Sequence, residues 1–401
     1  MNVLEKMPAK EELKSNGEIL KVNGHFHTPF SFSAFENIEQ VFEMADKEDI
    51  KVLGINDFIT MDGYPAFHDL SVKHKKFPLF NIEFMGLLLQ EQKKGIKVND
   101  PNNPGRTYFS GKGLRFPVHL DPPFQQKLDS VFAESMKQTR SMVEQLNQHL
   151  AAIGMEDLQI PFEEIKNRYA KELVRERHIA KAVRTAVFEK YSSNEERKAA
   201  LEKIYGKPMK AELEDVAAVD NEARGNLLKS GGVAFVPEDP KAFLEIPEVI
   251  EIIINAGGIP CYPTLLDNAK GEFTEFEENY EKLYQRLQEL NVHCIELIPT
   301  RNKFAIMKDF VQFFVARDIV VTFGTEHNTP AMEPLTVRCS DQPLDDYLLK
   351  VGYEGACVVA AHEYLHAKGE AGYVDAHGKP AKDKKDEFIA LGKKVIAEMT
   401  R

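Results

Sequence analysis

The sequence predicts an α/β fold in which a long, mostly helical segment interrupts a series of alternating strands and helices. Apolar strand patterns alternate with amphipathic helix patterns before residue 95 and again from residue 246. A polar stretch of helical pattern separates these two parts. Several strand patterns end directly at polar residues, and in parallel α/β folds active sites form at this end of the sheet.

Composition and charge narrow the class of protein. The 401 residues are 43% hydrophobic, and the formal net charge of −12 argues against general affinity for nucleic acid. The charged N-terminus lacks the apolar stretch of a signal peptide, and no apolar run is long enough to span a bilayer. The four cysteines lack Cys-x-x-Cys spacing. We therefore expect a cytoplasmic protein with buried free thiols and no membrane partner; its oligomeric state stays open.

The first part of the chain contains three strand patterns that end at polar residues. The first leads into His25 and His27, and the patterns 51–56 and 77–82 end at Asp57 and Glu83. A capping-box pattern at 33–36 predicts the start of a helix. Apolar residues then follow at helical spacing at Ile38, Val41, Phe42 and Ala45.

The later elements repeat this alternation after the polar stretch. We expect helices at 246–256, 280–290, 304–316 and 382–401, and strands at 257–263, 293–299 and 318–325. The predicted divisions are a first barrel part (20–120), a helical insertion or lid (121–230), a second barrel part (231–365) and a C-terminal helical tail (366–401).

Polar side chains that suit metal binding and catalysis collect at the predicted strand ends. They are His25, His27, Asp57, Glu83, Tyr108, Tyr262, Arg301, Glu326, His327 and Asn328. The i, i+2 spacing of His25 and His27 places both imidazoles on one face of a strand. Two histidines and two carboxylates from separate strands suit Zn²⁺, Mn²⁺ or Fe²⁺. Each residue could also have a purely structural role, such as a helix cap for Glu83 or a turn residue for His327.

The order of several short motifs resembles that of the PHP (polymerase and histidinol phosphatase) family, particularly its phosphoesterase branch with a helical insertion. The matching segments are 25–28 (His-Phe-His-Thr), 54–58 (Gly-Ile-Asn-Asp-Phe), 81–83 (Asn-Ile-Glu), 177–182 (Arg-His-Ile-Ala-Lys-Ala), 233–237, 256–260 and 324–327 (Gly-Thr-Glu-His). The resemblance covers about residues 20–330. It implies a distorted (β/α)7-type barrel with an inserted helical subdomain.

The resemblance also implies a metal site, but a reduced one. The family's first site corresponds to His25, His27, Glu83 and Glu326, with glutamate in place of the usual aspartate. Tyr108 and Tyr262 stand where the second site has histidines, and Phe58 and Ser31 or Ser33 stand near third-site positions. Because these side chains are poor ligands, we expect one divalent ion (Zn, Mn or Fe) per chain. His119 is a candidate replacement ligand, although a surface position is favoured for it.

The remaining polar residues have expected roles. We expect catalytic roles for Asp57, His327 and Tyr262, and substrate contacts for Tyr108, Arg177, His178, Arg301 and Asn328. Asp57 is either a general base or a residue that orients His25 or His27. His327 or Asn328 would also enter the ligand set if the closing turn shifted. Arg177 and His178 either close over an anionic substrate or form a solvated helix face.

We expect a metal-dependent hydrolase, a phosphoesterase that acts on a small phosphorylated, anionic metabolite through metal-activated water. One alternative is a single-metal lyase, isomerase or non-phosphate hydrolase that acts on a sugar or sugar acid. A second alternative is a binding protein without catalysis.

Overall fold

The computed structural model describes residues 2–15, 17–268 and 271–401. Its helices are α1 (Val3–Lys6), α2 (Glu39–Lys47), α3 (Tyr64–His74), α4 (Leu89–Lys94), α5 (Pro122–Ala152), α6 (Phe162–Tyr169), α7 (Glu176–Lys190), α8 (Asn194–Tyr205), α9 (Val216–Leu227), α10 (Ile246–Asn255), α11 (Tyr280–Glu289), α12 (Phe304–Val315), α13 (Asp346–Ala367) and α14 (Lys385–Thr400). Its strands are β1 (Lys21–Phe26), β2 (Ile50–Phe58), β3 (Phe77–Leu87), β4 (Arg106–Lys112), β5 (Leu244–Glu245), β6 (Ile259–Thr264), β7 (Cys294–Leu297) and β8 (Val320–Phe323).

The strands form one nearly closed, barrel-like sheet surrounded by helices, which confirms the predicted fold class. The strand order is β1-β2-β3-β4-β6-β7-β8, and the short β5 pairs with β3. All neighbours are parallel except that β4 runs antiparallel to β3 and β6. The chain after β8 meets β1, since the amide nitrogens of Thr325 and Glu326 donate to the His25 carbonyl oxygen. These bonds bring the carboxyl ends of β1 and β8 together.

The antiparallel strand β4 was not expected from the strand–helix alternation. It follows a loop after α4 that is held by the Asn99 amide, whose Nδ2 donates to the carbonyl oxygens of Tyr108 (2.9 Å) and Pro263 (2.6 Å). This loop returns the chain along β3 in the opposite direction. Alternation along β4 places Tyr108, Ser110 and Lys112 on the same face of the strand.

The segment that carries the capping-box pattern does not start a helix. α2 begins at Glu39, and Ser33 Oγ donates to the carbonyl oxygen of His27 (2.8 Å) while it accepts from the amide of Phe35 (3.1 Å). The serine hydroxyl therefore stabilises a loop after β1. The same loop carries Ser31 and Phe32, which line the cavity beside His27.

The helix α13 covers the amino ends of the barrel strands, a role for which no sequence pattern was identified. Ala356 and Val359 of α13 belong to one buried apolar cluster with Val52, Phe77 and Cys294, which lie at or near the starts of β2, β3 and β7. The opposite, carboxyl ends of the strands are left for polar residues.

The helices α5 to α9 pack around an apolar cluster of their own, which includes Leu146, Ile179 and Val219. The segment also touches the barrel: the Arg175 guanidinium lies 4.3 Å from the centroid of the Phe58 ring. In the part of the chain that the structure describes, no helix has the length and apolarity needed to cross a membrane.

Two helix glycines form a matched pair that tests the packing of α13. A Cβ atom on Gly355 would lie 1.9 Å from the carbonyl oxygen of Val321, whereas one on Gly225 of α9 would meet no heavy atom within 4 Å. We expect Gly225→Ala to raise the free energy of unfolding by about 0.5–1 kcal/mol. Gly355→Ala should lower it by about 2 kcal/mol or more, because α13 must move away from β8. Urea unfolding measures both, and equal effects would contradict the close packing.

Candidate metal centre

Four side chains converge: His25 and His27 at the end of β1, Glu326 after β8, and Glu83 within β3, level with Phe58 at the end of β2. One ligand atom from each lies within 4.8 Å of the others, and all four residues are buried. His27 Nε2 lies 3.4 Å from both His25 Nε2 and Glu83 Oε2, and 3.8 Å from Glu326 Oε1. Ligands about 2.1 Å from a tetrahedral Zn²⁺ are about 3.4 Å apart. The donor set and its spacing therefore fit one divalent cation.

The cluster depends on an unusual backbone conformation after β8. Glu326 and His327 have φ values of 73° and 52°, in the left-handed region that costs non-glycine residues energy. The amide of His27 donates to the Glu326 carbonyl oxygen (2.8 Å), which fixes this turn against β1. The turn directs the Glu326 carboxylate toward His27.

Burial and charge set the protonation of the cluster. Burial alone would lower the pKa of His27, but Glu326 and Glu83 outweigh it and raise the pKa to about 10. Burial alone would raise the pKa of Glu326, but Arg301, His25 and His27 hold it well below its usual range. A proton on His27 thus balances the carboxylates in the metal-free protein. A divalent cation would replace that proton.

Asp57 is linked to His27 through a chain of two hydrogen bonds. The Nδ1 of His27 donates to Ser31 Oγ (3.1 Å), and Ser31 Oγ donates to Asp57 Oδ1 (2.6 Å). The same carboxylate accepts from the amide and hydroxyl of Thr28. Asp57 does not line a cavity at the cluster. Of its two roles left open by the sequence, these contacts favour the orienting one.

Two charged residues at the cluster were not selected from the sequence: Glu296 and Lys112. Glu296 accepts from His25 Nδ1 at 2.7 Å, and Lys112 pairs with Glu296. Glu296 is a lone carboxylate within the apolar pattern of β7, and this was the signal that would have identified it. Lys112 gave no comparable signal, because residues 106–112 were not predicted to form a strand.

The Tyr262 hydroxyl, for which a catalytic role is expected, contacts the loop after β6. Its hydroxyl is buried and donates to Glu277 Oε1 at 2.6 Å. Burial raises the pKa of Glu277 to about 7. The carboxylate also accepts from the amides of Leu265 and Leu266, so the pair anchors the loop after β6. Tyr262 lines neither cavity at the cluster.

Both ring nitrogens of His327, the second residue with an expected catalytic role, make hydrogen bonds outside the cluster. Its Nε2 donates to the carbonyl oxygen of Glu333 (2.9 Å), and its Nδ1 accepts from Thr325 Oγ1 (2.7 Å). The ring stacks on Phe35 at a centroid distance of 4.8 Å. These contacts hold the closing turn in place.

His178, an expected substrate contact, is held by contacts at the start of α7. Its Nδ1 accepts from the amide of Arg175 (2.9 Å) at the start of α7, and its ring packs edge-on against Phe32. Burial, with the nearby charges of Lys181 and Arg175, lowers its pKa to about 3. His178 therefore stays neutral and does not reach the cavity. His119 is exposed, as expected for a residue at the protein surface.

A cavity of about 340 Å³ opens beside His27 and Glu83. The structure brings four of the expected substrate residues to its wall, together with three charged residues of the segment from α5 to α9 that were not selected; the set is Tyr108, Arg177, Arg301, Asn328, Arg175, Glu176 and Arg224. A smaller cavity of about 180 Å³ touches His25 and Glu296. A larger groove of about 580 Å³ lies elsewhere, between the loop after β2 and α5.

Among the residues that the structure describes, two of the four cavity arginines have no acidic hydrogen-bonding partner. Arg224 pairs with Glu176 (2.8 Å) and Arg301 with Glu326 (3.2 Å). Arg175 donates to Ser135 Oγ (3.2 Å) and Arg177 to Asn221 Oδ1 (2.9 Å), both neutral acceptors. Burial and the Arg224 charge lower the pKa of Arg177 to about 10, so it remains a cation at neutral pH.

The neutral polar side chains of the cavity have distinct environments. Burial and the charge of Glu83 raise the pKa of Tyr108 to about 12, so its hydroxyl keeps its proton. Asn328 Nδ2 donates to Glu326 Oε1 at 2.6 Å and fixes that carboxylate.

A second sequence pattern, typical of zinc sites and located on α13, does not form a metal site. Residues 362–366 read His-Glu-Tyr-Leu-His, the spacing of a His-Glu-x-x-His motif. Both ring nitrogens of His362 are occupied, by the carbonyl oxygen of Gly257 and the amide of Tyr373, and Glu363 accepts from the amide of Phe80. Among the described residues, only the cluster at the strand ends brings three or more His, Cys, Asp or Glu ligand atoms together.

Comparisons with known proteins agree with the architecture. No family model matches the sequence, and no curated protein sequence matches it. The solved structure of a "putative metal-dependent phosphoesterase" from Bifidobacterium adolescentis has a TM-score of 0.51 and 17% identity, covering 84% of this chain and 96% of that one. An amidohydrolase from Chromobacterium violaceum, with bound sulfate and no metal, has a TM-score of 0.48 and 14% identity, covering 83% and 96%. The first likeness shows a shared fold.

The raised pKa of His27 predicts how the stability of the metal-free protein depends on pH. Below about pH 6.5, His27 is protonated in the folded and unfolded states, and its stabilisation is complete. From pH 6.5 to 10 only the folded state keeps the proton, so the free energy of unfolding falls by roughly 5 kcal/mol. Urea unfolding of metal-free protein measures this slope. His27→Gln should flatten it, and an unchanged slope in the variant would contradict the assignment.

Proposed function

We propose that this protein is a PHP-type, metal-dependent hydrolase that cleaves phosphate esters of a small metabolite and uses one divalent ion. The observation that carries this proposal is the contact between the His–Glu cluster and a cavity with four arginines. A cation site next to an anion site is what metal-assisted phosphoester hydrolysis needs. The shared fold with a protein named as a phosphoesterase is in line with this reaction.

His25, His27, Glu83 and Glu326 would hold the ion. When bound there, a divalent ion lowers the pKa of a coordinated water and polarises a phosphoryl oxygen. The protein's own contribution is the orientation of the ligands: Ser31 and the Glu326–Asn328 contact fix two of the four side chains. The cluster is buried, so its electrostatic interactions with substrate are weakly screened.

The charge of the cavity matches a phosphate monoester. With Arg224 and Arg301 paired to carboxylates, Arg175 and Arg177 leave an excess of about two positive charges. A phosphate monoester carries about −1.5 to −2 charges at pH 7. Guanidinium groups bind phosphate oxygens through two parallel hydrogen bonds. The substrate anion would therefore compensate the two arginines that lack acidic partners.

The arginines also explain how a site with few metal ligands would handle phosphate. Phe58 stands near a position where the resembled family holds a further ion, and here the Arg175 guanidinium lies against its ring at 4.3 Å. We propose that fixed guanidinium charges serve in place of additional ions. Tyr108, which keeps its proton, would donate a hydrogen bond to the oxygen of the leaving group.

The helical segment is proposed to be an inserted lid over residues 121–230. Arg177 lies on α7, Arg175 at its start, and Arg224 on α9, so the segment supplies three of the four cavity arginines. Removal of the segment would leave the metal ligands in place but remove most of the anion site.

The metal content of the protein tests the cluster. We expect purified protein that has been loaded with Zn²⁺ or Mn²⁺ and desalted to retain about one ion per chain. Glu83→Gln and His25→Ala should reduce this value several-fold, because each removes one ligand of four. Elemental analysis with a circular-dichroism check of folding makes the measurement. Two or more retained ions per chain would contradict the single-ion proposal, and unchanged content in His25→Ala would contradict the ligand set.

A phosphatase panel with each metal tests the reaction, and Arg177→Met tests the anion site. We expect release of inorganic phosphate from small phosphomonoesters, with KM raised roughly 10–100-fold in Arg177→Met because a charged contact of about 1.5–3 kcal/mol is lost. Arg168→Met is the matched control, since Arg168 lies on the same insertion and pairs with the exposed Glu189. It should leave KM unchanged.

No phosphate release with any divalent metal would contradict phosphoester hydrolysis. Turnover of sugar acids in the same panel would then favour the single-metal lyase or isomerase instead. Equal KM values for the two arginine variants would place the anion site elsewhere.

A further inference from the structure

His25 lies at one end of a row of buried charged side chains inside the barrel. Its Nδ1 donates to Glu296 Oε2 at 2.7 Å, and the other carboxylate oxygen, Oε1, accepts from the Lys112 ammonium. His25, Glu296 and Lys112 are each no more than 1% exposed. The three residues come from β1, β7 and β4, so the row crosses the barrel interior.

Two neutral side chains complete the hydrogen bonding of this row. Asn56 Oδ1 accepts from the Lys112 ammonium (3.2 Å), and Asn56 Nδ2 lies 3.2 and 3.1 Å from Nδ1 and Nε2 of His25, against the face of the ring. Ser110 Oγ donates to Glu296 Oε2 (3.4 Å). Glu296 therefore has three donors, and the imidazole is fixed at its edge and its face.

We propose that Glu296 and Lys112 are positioning residues that hold His25 with its Nε2 directed at the metal ion, an inference that rests on the proposed metal centre. A neutral imidazole carries a proton on only one nitrogen. Because Glu296 takes the hydrogen bond from Nδ1, the lone pair lies on Nε2, which faces His27 Nε2 at 3.4 Å. A carboxylate behind a ligating histidine fixes the tautomer and makes the ligand more basic.

Lys112 makes this arrangement compatible with burial. A buried carboxylate without a partner is strongly destabilising, and an unpaired Glu296 would compete with Glu83 and Glu326 for a cation. The ammonium neutralises Glu296, so that it acts on the ion only through His25. The same fixed positive charge repels a second cation from this part of the barrel, in agreement with a single-ion centre.

The test compares Zn²⁺ affinity between Glu296→Gln and a matched control. Glu91→Gln is the control, because Glu91 is also a buried carboxylate paired with a cation (Arg286, 2.8 Å) but lies between α4 and α11. We expect Glu296→Gln to weaken Zn²⁺ binding about 10–100-fold, and Glu91→Gln to leave it within about threefold of the native value. Competition with a chromophoric chelator measures the dissociation constants.

A double-variant comparison separates positioning from packing. Lys112→Met should also weaken Zn²⁺ binding, and Lys112→Met combined with Glu296→Gln should bind no more weakly than Glu296→Gln alone, since Lys112 acts through Glu296. A merely structural role would lower the melting temperature in all these variants without a selective change in Zn²⁺ affinity. That result would overturn the proposal.

The native protein supplies a readout that does not depend on the folding of variants. In ¹⁵N-histidine-labelled protein with Zn²⁺ bound, nuclear magnetic resonance should show a proton on Nδ1 of His25 and the metal on Nε2. Metal on Nδ1 would overturn the positioning role while the metal centre stood. Native protein that bound no Zn²⁺ would overturn the metal centre and this role together.

Discussion

The contact between β1 and the chain after β8 is the constraint on which the site depends. Gly324 lies so close that a Cβ atom there would fall 2.2 Å from the Cβ of His25. The amides of Thr325 and Glu326 both donate to the His25 carbonyl oxygen, and Glu326 and His327 adopt the left-handed conformation. The contacts that close the barrel between β1 and β8 therefore also bring the metal ligands together. A change that separated β1 from β8 would remove Glu326 from both histidines.

The second feature of the site is a separation of charge across a short distance. Glu326 is paired with Arg301, so Glu83 gives the cluster an excess of about one negative charge once the proton on His27 is lost. The cavity beside it has an excess of positive charge from Arg175 and Arg177. Each excess is unfavourable alone where solvent is partly excluded. A cation in one and an anion in the other would satisfy both, so the two sites support each other.

The sequence predicted the parts of the fold that show regular periodicity and missed those fixed by tertiary contacts. The strands β2 and β3 and the helices α10 to α12 follow clear apolar patterns. The direction of β4 depends on Asn99, which joins two distant carbonyl groups, and α13 is buried on most of its surface and so lacks a polar face. The sequence predicted a strand end at Glu83, but β3 continues to Leu87, and Glu83 lies beside His27 because it pairs in register with Phe58 at the end of β2. Strand-end position was therefore only an approximate guide. It could not show that Tyr262 turns toward Glu277, since side-chain direction there depends on the packing of the following loop.

The proposed division of work between one ion and several arginines has a physical limit. A guanidinium group can stabilise negative charge on phosphate oxygens, but it stays protonated and does not lower the pKa of a water molecule as a divalent ion does. Activation of water would therefore rest on the His–Glu cluster alone, while orientation and charge compensation rest on the insertion. Loss of Arg177 should then weaken substrate binding more than turnover. Loss of Glu83 should abolish turnover even where the substrate still binds.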